Sequence, residues 1–175
     1  MNRKPFHFLL LAGSFFTGTV VLAIYLQSRS SAAIERPSMA ASEWELKEVD
    51  GRTVKLSDFR GKVVILDFWA TWCGPCQMEI PGFVDLQKKN KEQGLAVIGV
   101  SLDDGGPESV KPYLKRLKVN YPVVIGNTKV TGDYGGIEAI PTTFIINRRG
   151  EIVSKHLGYT EEKQFEAEIK PLLKE

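Results

Sequence analysis

Two kinds of hydrophobic pattern alternate along the chain after residue 43. Largely apolar runs, such as Val63–Trp69, which only Asp67 interrupts, and Leu95–Leu102, predict strands that are buried on both faces. Segments with apolar residues at three- and four-residue spacing predict helices between them. The predicted strands are 44–49, 53–56, 63–69, 95–102, 123–125, 142–146 and 151–156, and the predicted helices are 74–90, 107–117, 128–134 and 161–173. Strands that alternate with helices indicate βαβ units around a parallel core, and hence an α/β domain.

Two hairpins are predicted in addition. Asp50-Gly51 lies between the alternating runs 44–49 and 53–56, and this dipeptide is typical of a tight hairpin turn. The strands 142–146 and 151–156 are joined by a turn at Asn147–Gly150. We therefore expect a hairpin before the α/β core and an antiparallel edge on the central sheet.

The first 27 residues have a different pattern. Phe6–Leu26 contains no Asp, Glu, Lys or Arg, and its 21 residues suffice to span a hydrocarbon core of about 30 Å. Arg3 and Lys4 precede the run, which favours a cytoplasmic N-terminus and an exported domain. We interpret 1–27 as a signal anchor, 28–42 as a linker and 43–175 as the folded domain. The alternative is a signal peptide cleaved near Ser30-Ser31-Ala32, although the apolar run is long for one.

Composition and charge limit the kinds of partner that the protein is expected to bind. Apolar residues make up 43% of the chain, enough for a real core, and the formal net charge is +2. Four of the 23 basic residues and one of the 21 acidic residues precede Glu43, so the domain itself carries one more acidic residue than basic. We therefore expect no nucleic-acid partner, and nothing in the sequence suggests more than a monomer.

The only two cysteines, Cys73 and Cys76, form a local pair. Two residues at this spacing either cycle between dithiol and disulfide or bind a metal. A zinc site needs about two more ligands, and the only histidines are His7 and His156. We therefore predict a redox-active disulfide and no metal or organic cofactor.

The position of the pair predicts how it reacts. Cys73 follows a buried strand and stands at the start of a predicted helix, where free backbone N–H groups and the helix dipole stabilise a thiolate. A lowered pKa would make Cys73 the nucleophile near neutral pH. Pro75 fits the first helical turn, where its missing N–H costs nothing. Cys76 lies about one turn deeper and is expected to resolve mixed disulfides.

The segment Phe68-Trp69-Ala70-Thr71-Trp72-Cys73-Gly74-Pro75-Cys76 resembles the active-site segment of thioredoxins. Glu79 and Pro81, together with Ile140-Pro141-Thr142-Thr143-Phe144, resemble the membrane-anchored TlpA/ResA-like branch of that superfamily. The resemblance implies a thioredoxin-like fold, with a mixed central sheet flanked by helices, an added N-terminal β-hairpin and a central αβ insertion.

The resemblance also implies a substrate-binding surface. Ile140-Pro141 corresponds to the family's cis-proline pair, which lies beside the dithiol and offers backbone groups to an extended substrate segment. The expected rim around Cys73 consists of Trp72, Gly74, Pro75, Ile140 and Pro141, with Gly158 as a further member by analogy with thioredoxins. Taken singly, each apolar residue could equally be core packing.

Two acidic residues are expected to move protons. Asp67 lies inside the apolar strand, so burial should raise its pKa, and by resemblance it would take the proton from Cys76. The lysine that partners this acid in thioredoxins is replaced, with Gly99 the best match. Glu79 lies three residues after Cys76 on one helix face, and its counterpart in the TlpA/ResA-like branch tunes the thiols. A structural role for Asp67 and a solvated position for Glu79 are the alternatives.

A cysteine pair in this setting is compatible with three functions. The first is an extracytoplasmic protein-disulfide reductase that acts on substrates such as apocytochrome c and takes electrons from a membrane donor. The second is a peroxidase of the peroxiredoxin or glutathione-peroxidase type, but those enzymes need Pro-x-x-x-Thr-x-x-Cys, and Thr71 precedes Cys73 by only two residues. The third is a copper carrier, which needs wider cysteine spacing and a suitably placed histidine. We predict the reductase.

Overall fold

The computed structural model describes residues 39–175. It contains eight strands and four α-helices over these residues, with short 3₁₀ turns at Leu56–Phe59 and Lys91–Gln93. The strands are β1 (Met39–Ala40), β2 (Glu45–Lys47), β3 (Thr53–Lys55), β4 (Val63–Trp69), β5 (Leu95–Ser101), β6 (Val123–Ile125), β7 (Thr142–Ile146) and β8 (Glu151–Leu157). The helices are α1 (Gly74–Asn90), α2 (Gly106–Leu117), α3 (Thr128–Asp133) and α4 (Glu162–Leu172).

The central sheet has six strands in the order β1-β8-β7-β4-β5-β6. Strands β4, β5 and β6 run parallel to one another, whereas β7 is antiparallel to β4 and β8 is antiparallel to β7. The carboxyl ends of β4 and β5 and the beginning of β7 therefore meet at one edge of the sheet. This mixed sheet agrees with the predicted architecture.

Both faces of β4 are buried, which explains why its sequence is apolar except at Asp67. On one face Leu66 and Phe68 pack with the β2–β3 hairpin and α3. On the other face Ile65 packs with Phe83 of α1 and Phe165 of α4, whose rings lie 5.1 Å apart. Each of these side chains is almost wholly removed from water, at about 1.5–3 kcal/mol of stabilisation apiece. The central strand is thus held from two sides, and its carboxyl end is rigidly placed.

The hairpin β2–β3 forms a separate two-stranded sheet. Its inward side chains Leu46 and Val54 are buried in the core below the main sheet. Glu48 continues from β2 and makes an antiparallel bridge with Val124 of β6. The hairpin therefore covers one face of the domain, as an addition before the βαβ core.

The sequence assigned all of 28–42 to a linker, and this assignment is wrong at its end. Met39 and Ala40 pair with Ile152 and Glu151 as strand β1 on the edge of the sheet. Two residues are too few to show an alternating pattern, so the local sequence gave no signal. The apolar run Phe6–Leu26 lies outside the described residues. Between residues 39 and 175, no helix is both long and apolar enough to cross a membrane.

Candidate active site

A tight turn connects β4 to α1 and carries the cysteines. Cys73 donates its backbone N–H to the carbonyl of Ala70 at 3.2 Å, which closes the turn after the strand. Cys73 is the N-cap of α1, and Pro75 stands in the first turn of that helix. Helix α1 starts here because Cys73 has an extended backbone and a side chain that can accept a bond from the first turn. The predicted start of the helix is confirmed.

Cys73 and Cys76 are joined by a disulfide with an S–S distance of 2.00 Å. The backbone N–H of Cys76 points to the Sγ of Cys73 at 3.2 Å. In the dithiol state this N–H, together with the dipole of α1, would stabilise negative charge on Cys73. Cys73 is 5% exposed, whereas Cys76 is fully buried. The residue nearer to solvent is therefore also the one whose thiolate the helix favours.

The surroundings of Cys73 combine exposed apolar groups with the backbone of the cis-proline loop. The Trp72 side chain is 70% exposed, and Gly74 and Pro75 are exposed beside it. The Ile140–Pro141 peptide bond is cis, and the carbonyl oxygen of Ile140 lies 3.7 Å from the Sγ of Cys73. The structure thus brings the predicted rim residues to one place beside the disulfide.

The loop after β8 completes this side of the site. Gly158 donates its N–H to the carbonyl of Pro141 at 2.8 Å, so the predicted further rim residue lies against the proline loop. Gly158 has a φ of 76°, a left-handed conformation that a residue with a side chain adopts at a cost. Two residues later the same loop contacts Glu79 from inside the domain.

Asp67 is buried in the middle of β4 at 1% exposure. Burial raises the pKa of this carboxyl well above its ordinary value, and the nearby charge of Glu79 raises it further. A hydrogen bond from the hydroxyl of Thr143 on β7, at 3.2 Å, opposes the rise. The register places Gly99 of β5 directly opposite Asp67, and no ion pair is recorded for Asp67 among the described residues. The expected rise in pKa is therefore found, and its main cause is loss of water.

Glu79 is 4% exposed, so it is not a solvated helix charge. Burial raises the pKa of Glu79 to about 7. A hydrogen bond from the backbone N–H of Thr160 to its Oε1, at 2.6 Å, opposes this rise. The other oxygen, Oε2, is buried with no hydrogen-bond partner in the described part of the chain. A carboxyl in this state can gain or lose a proton near neutral pH.

Tyr121 adds a third ionisable group to this region. Its pKa is raised well above the ordinary value, first by burial and then by the charges of Asp67 and Glu79. The phenol therefore stays neutral, and it packs against the apolar clusters around Cys76 and around Phe83. The two carboxyls are thus both buried close to the disulfide, and the charge of Glu79 disfavours ionisation of Asp67.

Sequence reasoning missed the groups that hold these acids. In the sequence Thr143 stands out only as part of the Ile140–Phe144 motif, and Thr160 acts through its backbone N–H, which no side-chain pattern reveals. Both come from elements remote in sequence, β7 and the loop before α4, so only the topology identifies them. The catalytic roles of Asp67 and Glu79 stay predictions, whereas their burial and shared location are observed.

A disulfide at the start of the helix that follows a central strand, faced by a cis-proline loop, defines a thioredoxin-fold dithiol protein. The AhpC/TSA family model matches residues 37–155, and the chain belongs to this family. The chain is 30% identical over 172 residues to the thiol-disulfide oxidoreductase ResA of Bacillus cereus, covering 98% of this chain and 97% of the relative. It is 32% identical over 166 residues to the ResA of Halalkalibacterium halodurans, covering 94% and 93%.

A solved structure agrees in fold and class. The thiol:disulfide interchange protein of the thioredoxin family from Chlorobium tepidum superposes with a TM-score of 0.73 at 29% identity, covering 79% of this chain and 99% of that one. The thioredoxin-like fold class is thereby confirmed. With the cysteine pair in place, the protein is a thiol-disulfide oxidoreductase.

Proposed function

We propose that the protein acts outside the cytoplasm as a reductant of protein disulfides, with Cys73 as the attacking thiolate and Cys76 as the resolving thiol. The observation that carries this proposal is the geometry around Cys73. Its sulfur accepts the N–H of Cys76 at 3.2 Å and lies 3.7 Å from the carbonyl oxygen of Ile140. An extended substrate segment that paired with this carbonyl would bring its own disulfide to Cys73.

The reaction is a two-electron exchange. The Cys73 thiolate attacks one sulfur of a substrate disulfide and forms a mixed disulfide, and the other substrate sulfur leaves as a thiolate. The Cys76 sulfur, once deprotonated, then attacks Cys73 and releases the second substrate thiolate. The two substrate thiolates then take up protons from solvent, so the substrate gains two electrons from the dithiol and the protein ends as the Cys73–Cys76 disulfide.

Cys76 must lose a proton although its side chain is fully buried and so has no direct contact with bulk water. Glu79 is the better suited of the two acids to accept this proton, because a pKa of about 7 leaves part of it ionised at neutral pH. Asp67 has its pKa raised well above the ordinary value and keeps its own proton longer. We assign proton uptake to Glu79 and the role of a neutral neighbour to Asp67.

The direction of electron flow rests on the residues between the cysteines. Gly74-Pro75 matches thioredoxin, whose potential of about −270 mV makes it a reductant, whereas a DsbA-type oxidant lies near −120 mV. A reductant in an oxidising compartment needs a supply of electrons, which we assign to a membrane protein reached through the anchor at 1–27. By family resemblance, substrates include disulfides of exported proteins such as apocytochrome c.

The reduction potential of the Cys73–Cys76 pair tests the direction. The full-length chain is equilibrated with dithiothreitol mixtures, and its thiols are counted after alkylation. We expect a value within a few tens of millivolts of about −270 mV. A value near about −120 mV would make the protein an oxidant and refute the proposal. Protease digestion of intact spheroplasts tests the location, because an exported domain is cut and a cytoplasmic one is protected.

Because the chain matches the AhpC/TSA family, reduction of hydrogen peroxide is the alternative function. Cys73 and Cys76 are the only cysteines, and Thr71 does not have the spacing of a peroxidatic motif. We expect peroxide consumption no faster than that of a free dithiol. Turnover of peroxide faster than that of insulin disulfides would favour the peroxidase instead.

A further inference from the structure

Asp103 is a buried carboxylate that plays no part in the proton steps above. It lies two residues after the end of β5 and is 8% exposed. Because β5 is the parallel neighbour of β4, with Ser101 opposite Trp69, the chain after β5 lies beside the turn that carries the cysteines. Leu102 confirms this proximity, since its N–H donates to the carbonyl of Trp69 at 2.8 Å.

The Asp103 carboxylate accepts hydrogen bonds from two residues. Thr71 donates its backbone N–H at 3.0 Å to one oxygen and 3.2 Å to the other, and it also donates its hydroxyl. Ser101 donates its hydroxyl at 2.8 Å and accepts the N–H of Asp103 at 3.2 Å. Three donor groups therefore converge on the two acceptor oxygens of this carboxylate.

The remaining polar group of Thr71 is held from the other side. Gln77 on α1 donates its side-chain N–H to the Thr71 carbonyl at 2.7 Å. Gln77 in turn accepts a bond from Arg116 on α2 at 3.2 Å, and the Arg116 guanidinium lies over the Tyr113 ring. Every polar group of Thr71 is therefore bonded, two of them by Asp103.

We propose that Asp103 is a positioning residue for the dithiol, which fixes the turn Ala70–Cys73 through Thr71 and so holds the sulfur of Cys73 against the N–H of Cys76. This inference rests on the proposed function for its benefit to catalysis. Thr71 stands two residues before Cys73 inside the closed turn. The segment after β5, inserted before β6, would thus brace the active-site turn from both ends, with Asp103 at its start and Arg116 near the end of its helix.

Loss of the Asp103 charge and loss of its hydrogen bonds to the turn would shift the pH at which Cys73 reacts in opposite directions. The positioning role can therefore be measured. If Asp103 influenced Cys73 only through its negative charge, removing that charge would favour the thiolate and lower the pH at which Cys73 reacts. If Asp103 holds the turn, its removal loosens the contact between the Cys73 sulfur and the Cys76 N–H. The thiolate then loses stabilisation and the reactive pH rises. Thr71→Val removes one of the same hydrogen bonds without any change of charge.

The experiment measures alkylation of Cys73 by iodoacetamide as a function of pH, in full-length protein carrying Cys76→Ser so that Cys73 is the only thiol. Asp103→Asn and Thr71→Val are compared with the parent. The matched control is Asp104→Asn, which removes the same charge from the adjacent, exposed residue. Thr71→Ser serves as the conservative variant that keeps the hydroxyl. Insulin reduction is measured in parallel with Cys76 present, and thermal unfolding of each variant is recorded.

We expect D103N and T71V to shift the alkylation midpoint to higher pH and to slow insulin reduction about tenfold, because a buried hydrogen bond to a charged group is lost. D104N and T71S should keep the parental midpoint. The double variant D103N/T71V should shift the alkylation midpoint by less than the sum of the two single shifts, because both substitutions break the same contact between Thr71 and Asp103. A midpoint unchanged or lowered in both D103N and T71V, in folded protein, would overturn the proposal.

Two further outcomes are distinguishable. If D103N does not fold, T71V and T71S decide the question alone, since neither removes a charge. If the parent fails to reduce insulin while D103N and T71V still raise the alkylation midpoint, the proposed function fails and the positioning role stands.

Discussion

Replacing Glu79 by Gln should remove a pH dependence of stability that the oxidised protein has. The native state holds the Glu79 proton up to a pKa of about 7, whereas an unfolded chain releases it near 4.5. Between these values the native state binds more protons, so the free energy of unfolding falls as pH rises. The stabilisation is complete below about pH 4.5 and is lost by the time pH has passed about 7.

The size of the effect follows from the two pKa values. Each unit is worth about 1.4 kcal/mol, so a rise from 4.5 to about 7 corresponds to about 3 kcal/mol. Solvent screens this effect little, since the side chain is 4% exposed. Asp67 has its own raised pKa and adds to the slope in both proteins. We therefore expect the parent to lose about 3 kcal/mol more than E79Q between about pH 4.5 and about pH 8.

Urea denaturation of the oxidised full-length chain measures this difference, because the disulfide removes both thiols from the titration. The exposed residue Glu166 supplies the control, since E166Q makes the same chemical change on the outside of α4. We expect E166Q to follow the parent. Parallel curves for the parent and E79Q across this pH range would refute the assignment of a raised pKa to Glu79.

Three further variants probe other parts of the account. Asp67→Asn imitates the neutral carboxyl, so it should raise the free energy of unfolding relative to the parent at about pH 9 but not at about pH 4. Urea denaturation of the oxidised form measures this difference. If the variant and the parent were equally stable at both pH values, Asp67 would not be a buried neutral carboxyl. Gly99→Ala places a Cβ 3.0 Å from the Nε1 of Trp69 and 3.2 Å from Val123, and should cost about 1–3 kcal/mol; an unchanged urea midpoint would contradict this. Trp72→Ala should raise KM several-fold for insulin and leave the rate with a small disulfide unchanged, since the ring is exposed; an equal loss with both would show that Trp72 is not a substrate contact.

Much of the central sheet could be predicted because the sequence patterns there are local. Three of its strands are largely apolar runs, and each begins and ends as predicted: Val63–Trp69, Val123–Ile125 and Thr142–Ile146. Helix α1 was equally clear, since Cys73 and Pro75 mark its start. These elements carry the signal in their own residues, so no knowledge of the tertiary structure is needed.

The parts that escaped prediction depend on contacts between distant segments. Strand β1 exists only because β8 offers it an edge, and two residues contain no periodicity. The active site likewise combines features that local sequence predicts with features that depend on distant contacts. Glu79 could be placed on the helix face of Cys76, but its burial depends on the loop at Thr160, which is 81 residues away. Asp103 is a polar residue just after a buried parallel strand, and that position was the available signal for it.

The most direct test is to trap the mixed disulfide. Cys76→Ser and Cys73→Ser variants of the reduced full-length chain are mixed with oxidised insulin, quenched with acid and analysed by mass under non-reducing conditions. The account predicts that C76S accumulates an adduct through Cys73, because the attacking sulfur is kept and the resolving one is gone. It predicts no comparable adduct for C73S, whose remaining sulfur is fully buried. Equal adducts in both variants, or disulfide reduction by C73S at the parental rate, would contradict it.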